Sequence, residues 1–220
     1  MSTIDLQNQS NQSSTRRTYL TLRNEIITGN LAPGERLKVE TLKENYGAGA
    51  SPIREALSLL TSDQLVERLD QRGFRVADAN RHQFQEILGL RCTLEDIALR
   101  QSVKNGGREW EENLVLVHHY LSRTDRGDVE LFEERHKSFH MALLSACDSP
   151  VLMRFCGQLY DLNVRYRFLA GRSKSYASRN VEGEHLAILD AAVSRDVELT
   201  STLLMDHYNS TGAFLSELIA

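Results

Sequence analysis

PGERLKVETLKENYGAGASPIREALSLLTSDQLVERLDQRGFRV, residues 33–76, decides the fold. Pro33-Gly34 is a turn. Helical spacing then runs from Val39 to Tyr46, with Val39, Leu42 and Tyr46 on one face. Gly47 to Ala50 break it. A further helix opens at Ser51-Pro52, read as an N-cap followed by a proline at the first helical position. It continues to about Ser62 on a stripe of Ile53, Ala56, Leu57 and Leu60. Glu55 falls one residue late for a capping-box partner. The period then changes. LVERL and FRVAD are strand-like runs joined by DQRG, with Gly73 in the turn. Upstream, Arg16 to Thr28 form a helix with Tyr19, Leu22 and Ile26 on one side. Helix, helix, helix and hairpin is the layout of a winged helix-turn-helix. Its third helix enters the major groove and its hairpin is the wing.

The flanks set the rest of the architecture. MSTIDLQNQSNQSST is polar, lacks the features of a signal peptide, and reads as a disordered arm over 1–15. From Asn80 onward no strand is convincing. Helices are expected at about 80–104, 108–123, 128–147, 149–170, 177–194 and 196–218. The breaks are NGG, RTDRGD, DSP, GRSKS and SRD. Short loops favour an antiparallel bundle. The fold class expected is therefore mainly α: a winged helix-turn-helix over 16–78, then an all-helical domain over 79–220.

Composition narrows the functional classes. The 220 residues carry a net charge of -4, and 41% are hydrophobic. No apolar run approaches the roughly 18 residues of a membrane helix, so no membrane partner is expected. Three cysteines, odd in number and without a pairing pattern, suit a reducing cytoplasm and small core positions. Residues 1–79 balance their charges, so the deficit lies beyond them. A neutral head with local basic clusters still suits DNA, because only the docking face must be positive.

Histidines carry the chemistry of the second half: His136 and His140 in RHKSFH, His185 in EGEHLAILDA and His207 in LLMDHY. His136 and His140 are four apart and share a helix face with Phe132 and Leu144, so they point inward. Inward histidines are costly unless paired or ligated. Three helices that gathered these side chains would make a divalent metal site. Neutral imidazoles without a thiolate suit Zn²⁺, and also Ni²⁺ or Cu²⁺. His82, His118 and His119 read as ordinary surface or core residues.

The PG turn, the Arg54–Leu57 REAL tetrad and the Arg72-Gly73-Phe74 wing resemble the DNA-binding domain of the GntR family of bacterial regulators. The remainder resembles the all-helical FCD effector domain of the family's FadR-type branch, on LRCTLED near residue 90, FHMALL, EHLAILDA and His207. RHKSFH and LYDLNVRYRFL look closest to the carbon-starvation-induced, glutarate-responsive repressor type. The resemblance implies His140, His185 and His207 as metal ligands, with His136 as a fourth where many relatives have Asp. It also places Gly49-Ala50 where relatives commonly have Ser-Arg, which removes a customary DNA contact.

The resemblance and the residue chemistry together give the expected contacts. Arg54, on the exposed side of the third helix, can fork onto guanine O6/N7 or clamp a phosphate. Ser51 offers a hydroxyl to a phosphate. Arg36, Lys38 and Lys43 flank the turn and second helix, and Arg72 and Gly73 suit a minor-groove approach. A small carboxylate, including a dicarboxylate, is the expected effector at the metal. Arg91 is a candidate for its second end, with an i,i+4 salt bridge to Glu95 as the competing reading. Arg165 and Tyr166 are further lining candidates. Glu184 and Asp206 neighbour ligands in sequence. The leading expectation is a repressor that binds a palindromic operator as a homodimer and reports the carboxylate. The alternatives are a regulator for which the ion itself is the signal, and a metal-dependent hydrolase.

Overall fold

The computed structural model describes residues 3–70, 72–169 and 180–219, with side chains from residue 14 onward. The described residues fall into two compact units. One takes the chain up to Asn80 together with Val164–Leu169; the other takes Arg81–Asn163 and the described C-terminal residues.

The first unit contains α1 (Thr3–Thr28), β1 (Arg36–Leu37), α2 (Val39–Tyr46), α3 (Ala50–Ser62), β2 (Val66–Leu69) and β3 (Gly73–Val76). Its core joins Leu22 and Ile26 of α1 to Leu42 of α2 and to Ile53, Ala56, Leu57 and Leu60 of α3, all buried. These are the stripes that helical periodicity marks. Gly47 ends α2 in the left-handed region, φ 60°, and returns its N–H to the Lys43 carbonyl. Gly73 opens β3 at φ 88°, a conformation that strains any side chain. Leu69 pairs with Gly73 and Val66 with Val76, so the wing is a short antiparallel hairpin.

Three local expectations change. The turn at Pro33-Gly34 runs into β1, whose Arg36 and Leu37 pair with Arg75 and Phe74, giving the sheet order β1-β3-β2. Two residues are too few for a period to be read. Helix α1 begins at Thr3 rather than after an arm over 1–15. Residues 3–15 contain neither Gly nor Pro, and extending a helix already nucleated by the packed 16–28 segment costs little. The N-cap of α3 is Gly49, not Ser51. Pro52 is still tolerated, because the first-turn N–H groups have no intrahelical partner to lose.

The second unit holds α4 (Arg81–Asn105), α5 (Arg108–Ser122), α6 (Val129–Leu144), α7 (Pro150–Leu169, up to Asn163), α8 (Val181–Val193) and α9 (Val197–Leu218). The GRSKS break and the expected helix start at 177 lie outside the described residues, as does Gln71 of the wing turn. Asp128, Asn180 and Asp196 cap α6, α8 and α9 with their side chains. The core centres on Leu99, Leu114, Phe139, Leu143, Ile188 and Leu204. Trp110 joins it and donates its indole N–H to the Ala142 carbonyl at 2.8 Å. Gly212 lets α4 approach α9, since a β-carbon there would meet Leu88 at 2.2 Å. All three cysteines are free. Burial pushes the Cys156 thiol up to about 12, which keeps it an inert core group.

Leu143 is fully buried at the centre of this core. Leu143→Ala is expected to cost about 2–5 kcal/mol. A urea titration followed by circular dichroism checks this, and an unchanged midpoint contradicts the placement.

Candidate metal centre and DNA-facing residues

In the second unit, α6 supplies His136 and His140 one turn apart, α8 supplies His185, and α9 supplies His207. One candidate ligand atom from each of the four lies within 4.8 Å of the others, and all four residues are buried. Ring centroids are 4.5 Å apart for His136 and His140, 5.0 Å for His136 and His185, and 4.8 Å for His185 and His207. With Zn–N bonds of about 2.1 Å, no two ligand nitrogens can be more than about 4.2 Å apart, so small side-chain rotations would have to draw these atoms together to hold one ion.

Partners behind the rings orient them. His140 Nδ1 lies 2.9 Å from the Tyr208 hydroxyl, and His136 Nδ1 lies 2.6 Å from that of Tyr160. His207 Nδ1 lies 2.7 Å from a Glu184 carboxylate oxygen. These partners engage Nδ1, which turns Nε2 toward the cluster, where the Nε2 atoms of His136 and His140 share a 3.2 Å hydrogen bond that a bound ion would replace. The residues therefore fit a divalent ion: an all-nitrogen donor set, with outer partners that fix the rings. Phe132 stacks on His136 at 5.8 Å.

Behind Tyr208 runs a buried polar chain. The Tyr208 hydroxyl donates to Glu95, and Arg91 Nε donates to the other Glu95 oxygen at 2.6 Å. Arg91 Nη1 donates to Asn163 Oδ1 at 3.0 Å. The Arg91 guanidinium sits over the rings of Tyr208 and Tyr160, at 4.1 and 4.7 Å. Burial works against the Arg91 charge, but Glu95 together with Tyr208 and Tyr160 more than offsets it, so the guanidinium stays protonated. Burial raises Tyr208 well above the ordinary tyrosine value, so it remains an O–H donor. Among the described residues, Arg91 Nη2 and Asn163 Nδ2 have no hydrogen-bond partner.

The expected lining residues separate. Arg91 belongs to the histidine unit and does pair with Glu95, yet keeps one nitrogen to offer. Arg165 and Tyr166 belong to the first unit. Arg165 donates to the backbone carbonyls of Ala77 and Asp78, at 2.6 and 3.4 Å, where it secures the end of the wing. Burial raises the Tyr166 hydroxyl there. Helix α7 carries Asn163 and Arg165 only two positions apart, so the sequence gives no sign that they serve different units. Glu184, next to His185 in sequence, stands behind His207 of a different helix, while Asp206 is exposed. Tyr160, Tyr208 and Asn163 were not foreseen, and Glu95 was expected only as a salt-bridge partner of Arg91, which it is. The available signal for Tyr208 was its place beside His207. His118 is buried against Phe139, its ring centroid 5.4 Å away, whereas His82 and His119 are exposed.

In the first unit, Ser51, Arg54, Arg36, Lys38, Arg72 and Gly73 are exposed, and Lys43 is partly so. Lys43 is paired to Glu40 at 2.5 Å. The Glu40 carboxyl is held below its ordinary value, first by the Lys43 hydrogen bond and charge and also by the Arg54 charge. The Arg54 charge is thus felt at the Glu40–Lys43 pair. The Ser51 hydroxyl donates to Glu55 at 3.1 Å, and Glu55 also accepts from Thr15 at 2.9 Å. A phosphate contact by Ser51 would have to displace this bond.

Residues 14–76 match the bacterial regulatory proteins of the gntR family, and residues 86–210 match the FCD domain. The chain is 43% identical over 201 residues to the HTH-type transcriptional regulator BphR of Paraburkholderia xenovorans (strain LB400), covering 88% of this chain and 82% of that protein. It is 32% identical over 197 residues to the HTH-type transcriptional repressor GlaR of Escherichia coli (strain K12), covering 86% and 90%. The fold is similar to that of E. coli McbR/YncC, with a TM-score of 0.80, 24% identity, and coverage of 93% and 97%. The hydrolase alternative falls here: the relatives are transcriptional regulators, not enzymes. With a winged helix-turn-helix and a separate helical unit each matching its own family over nearly its full length, the chain belongs to the GntR family as a DNA-binding transcriptional regulator with an FCD domain.

Proposed function

We propose that the four-histidine centre holds a divalent metal, Zn²⁺ first with Ni²⁺ or Cu²⁺ as alternatives, and that a small carboxylate docked there sets operator affinity. The observation that carries this reading is the convergence of four buried imidazoles from three helices, with Nδ1 partners already placed behind three of them. Burying four imidazoles together is costly, and a shared ion would turn that cost into binding energy. His140, His185 and His207 form a sufficient set, and His136 is the fourth donor. The ion supplies a cationic anchor for a carboxylate when bound. The spare Arg91 and Asn163 N–H groups would take oxygens of the same ligand. A cleft lined by His118, Ser122, Thr124, Arg126, Glu182 and His185 borders the centre at His185.

The regulator acts as a repressor and binds a palindromic operator as a homodimer, since two half-sites mirror a two-fold protein. Elemental analysis of the purified protein tests the metal. An operator selected from a pool of random duplexes, titrated with acetate and with straight-chain dicarboxylates, tests the effector. The metal-loaded protein is expected to change its operator affinity about 5–150-fold, the range set by typical coupling energies, and the chelated protein to give no response. If metal alone shifts operator affinity and carboxylates add nothing, the ion is the signal. If no metal is retained, the reading fails.

A further inference from the structure

Four neutral imidazoles can each carry their single proton on either nitrogen, and only a bare Nε2 can face a shared ion. What selects the tautomer therefore decides whether the cluster is a ligand set. For His207, the selector is Glu184, a carboxylate that accepts from Nδ1 directly at 2.7 Å. For His140, the group that faces Nδ1 is a phenol. The Tyr208 hydroxyl lies 2.9 Å from that nitrogen, and a phenol can donate or accept.

The geometry points to Tyr208 as a positioning residue of the centre, set as an acceptor toward His140 by the buried Arg91–Glu95 pair behind it. Tyr208 has one hydroxyl proton, and that proton is directed to Glu95. Only oxygen lone pairs are then left for His140, so Nδ1 must carry the imidazole proton and Nε2 must be bare. Arg91 fixes Glu95 in turn. It donates to the opposite carboxylate oxygen at 2.6 Å, and both residues are buried, at 3% and 0% exposure. The carboxylate therefore acts on His140 through one intervening hydroxyl. Chain order hides this arrangement: Glu95 and Arg91 lie on α4, His140 on α6 and Tyr208 on α9. Tyr208 also follows His207 directly in α9, so one helix supplies a candidate ligand and the tautomer setter of another.

This inference rests on the metal reading for its purpose, but not for its test. The variant is Tyr208→Phe, which removes one oxygen and leaves Arg91–Glu95 paired. The first readout is the ¹⁵N spectrum of His140 in metal-free protein. Wild type is expected to show the Nδ1–H form alone, and the variant a mixture of both tautomers. The second is Zn²⁺ affinity in competition with a chromophoric chelator, expected to fall about 10–100-fold in the variant. Circular dichroism reports whether the variant folds. His140→Gln, read for Zn²⁺ affinity, separates loss of the ligand from loss of its support: it is expected to fall further than Tyr208→Phe. Tyr208→Phe with an unchanged His140 tautomer overturns the inference, whatever the metal does. Wild type with the Nδ1–H tautomer and no Zn²⁺ affinity upholds the positioning role and overturns the metal reading instead.

Discussion

Arg54→Ala is expected to abolish operator binding at concentrations that saturate the wild type, with the fold unchanged. Arg54 is exposed on α3, while its neighbours Pro52, Ile53, Ala56 and Leu57 are buried, so the guanidinium projects away from the core. Removing it leaves no cavity and no orphaned partner. A bidentate contact to guanine is worth about 1–3 kcal/mol, and a two-fold complex loses it twice. Gly49-Ala50 offers no second arginine nearby to compensate. Fluorescence anisotropy on specific and random duplexes at matched salt checks the prediction. Loss confined to the specific duplex marks a base contact, and equal loss on both, with a shallower salt slope, marks a phosphate contact. Retained affinity on both duplexes would remove Arg54 from the interface. By the same logic, Arg72→Ala at the wing is expected to weaken both duplexes alike.

His140→Ala is expected to eliminate the stabilisation that a divalent metal gives the wild type. A ligand that binds only the folded state at a thousand times its Kd stabilises by about 4.1 kcal/mol. For wild type, the melting temperature should therefore climb as Zn²⁺ is added and fall back with chelator. For the variant, the two melting curves should coincide. His140 makes the strongest test because it is fully buried and closes on His136, His185 and His207 at once. His136→Ala should lose less, since it spares His140, His185 and His207, the three that the family likeness marks as ligands, whereas His140→Ala breaks that set. A Zn²⁺-dependent rise that survives in His140→Ala would refute the centre. Binding also requires deprotonated imidazoles, so protons compete with the ion and the wild-type shift should shrink as pH falls.

Much of the architecture was legible because the signals are local. The stripes of α2 and α3, the change to period two at Val66, and the left-handed glycines at 47 and 73 belong to single segments. Each acts through a nearest-neighbour rule of sterics or periodicity. The inward pair His136 and His140 was legible for the same reason, being one helical turn apart. His185 and His207 were reached only through likeness to the family, because no periodicity relates residues on three helices. β1 was missed because its pairing is made by β3, almost forty residues away, and nothing in Arg36-Leu37 itself encodes a strand. The extension of α1 back to Thr3 was missed because polar composition was given more weight than the absence of helix breakers.

The sequence by itself determined the elements, their buried faces, the winged helix-turn-helix order, and the supply of histidines from separate helices. Tertiary structure alone decided which polar groups stand behind those histidines. The Arg91–Glu95 pair was open to the sequence as an i,i+4 contact, but only packing made Glu95 accept from Tyr208 and Tyr208 face His140, and sent Arg165 to the carbonyls of Ala77 and Asp78. The physical reason is range. Burial patterns follow from a side chain's position on its own helix. A hydrogen bond needs two groups within about 3 Å in one orientation, and where those groups come from distant segments, only the packed core sets that distance.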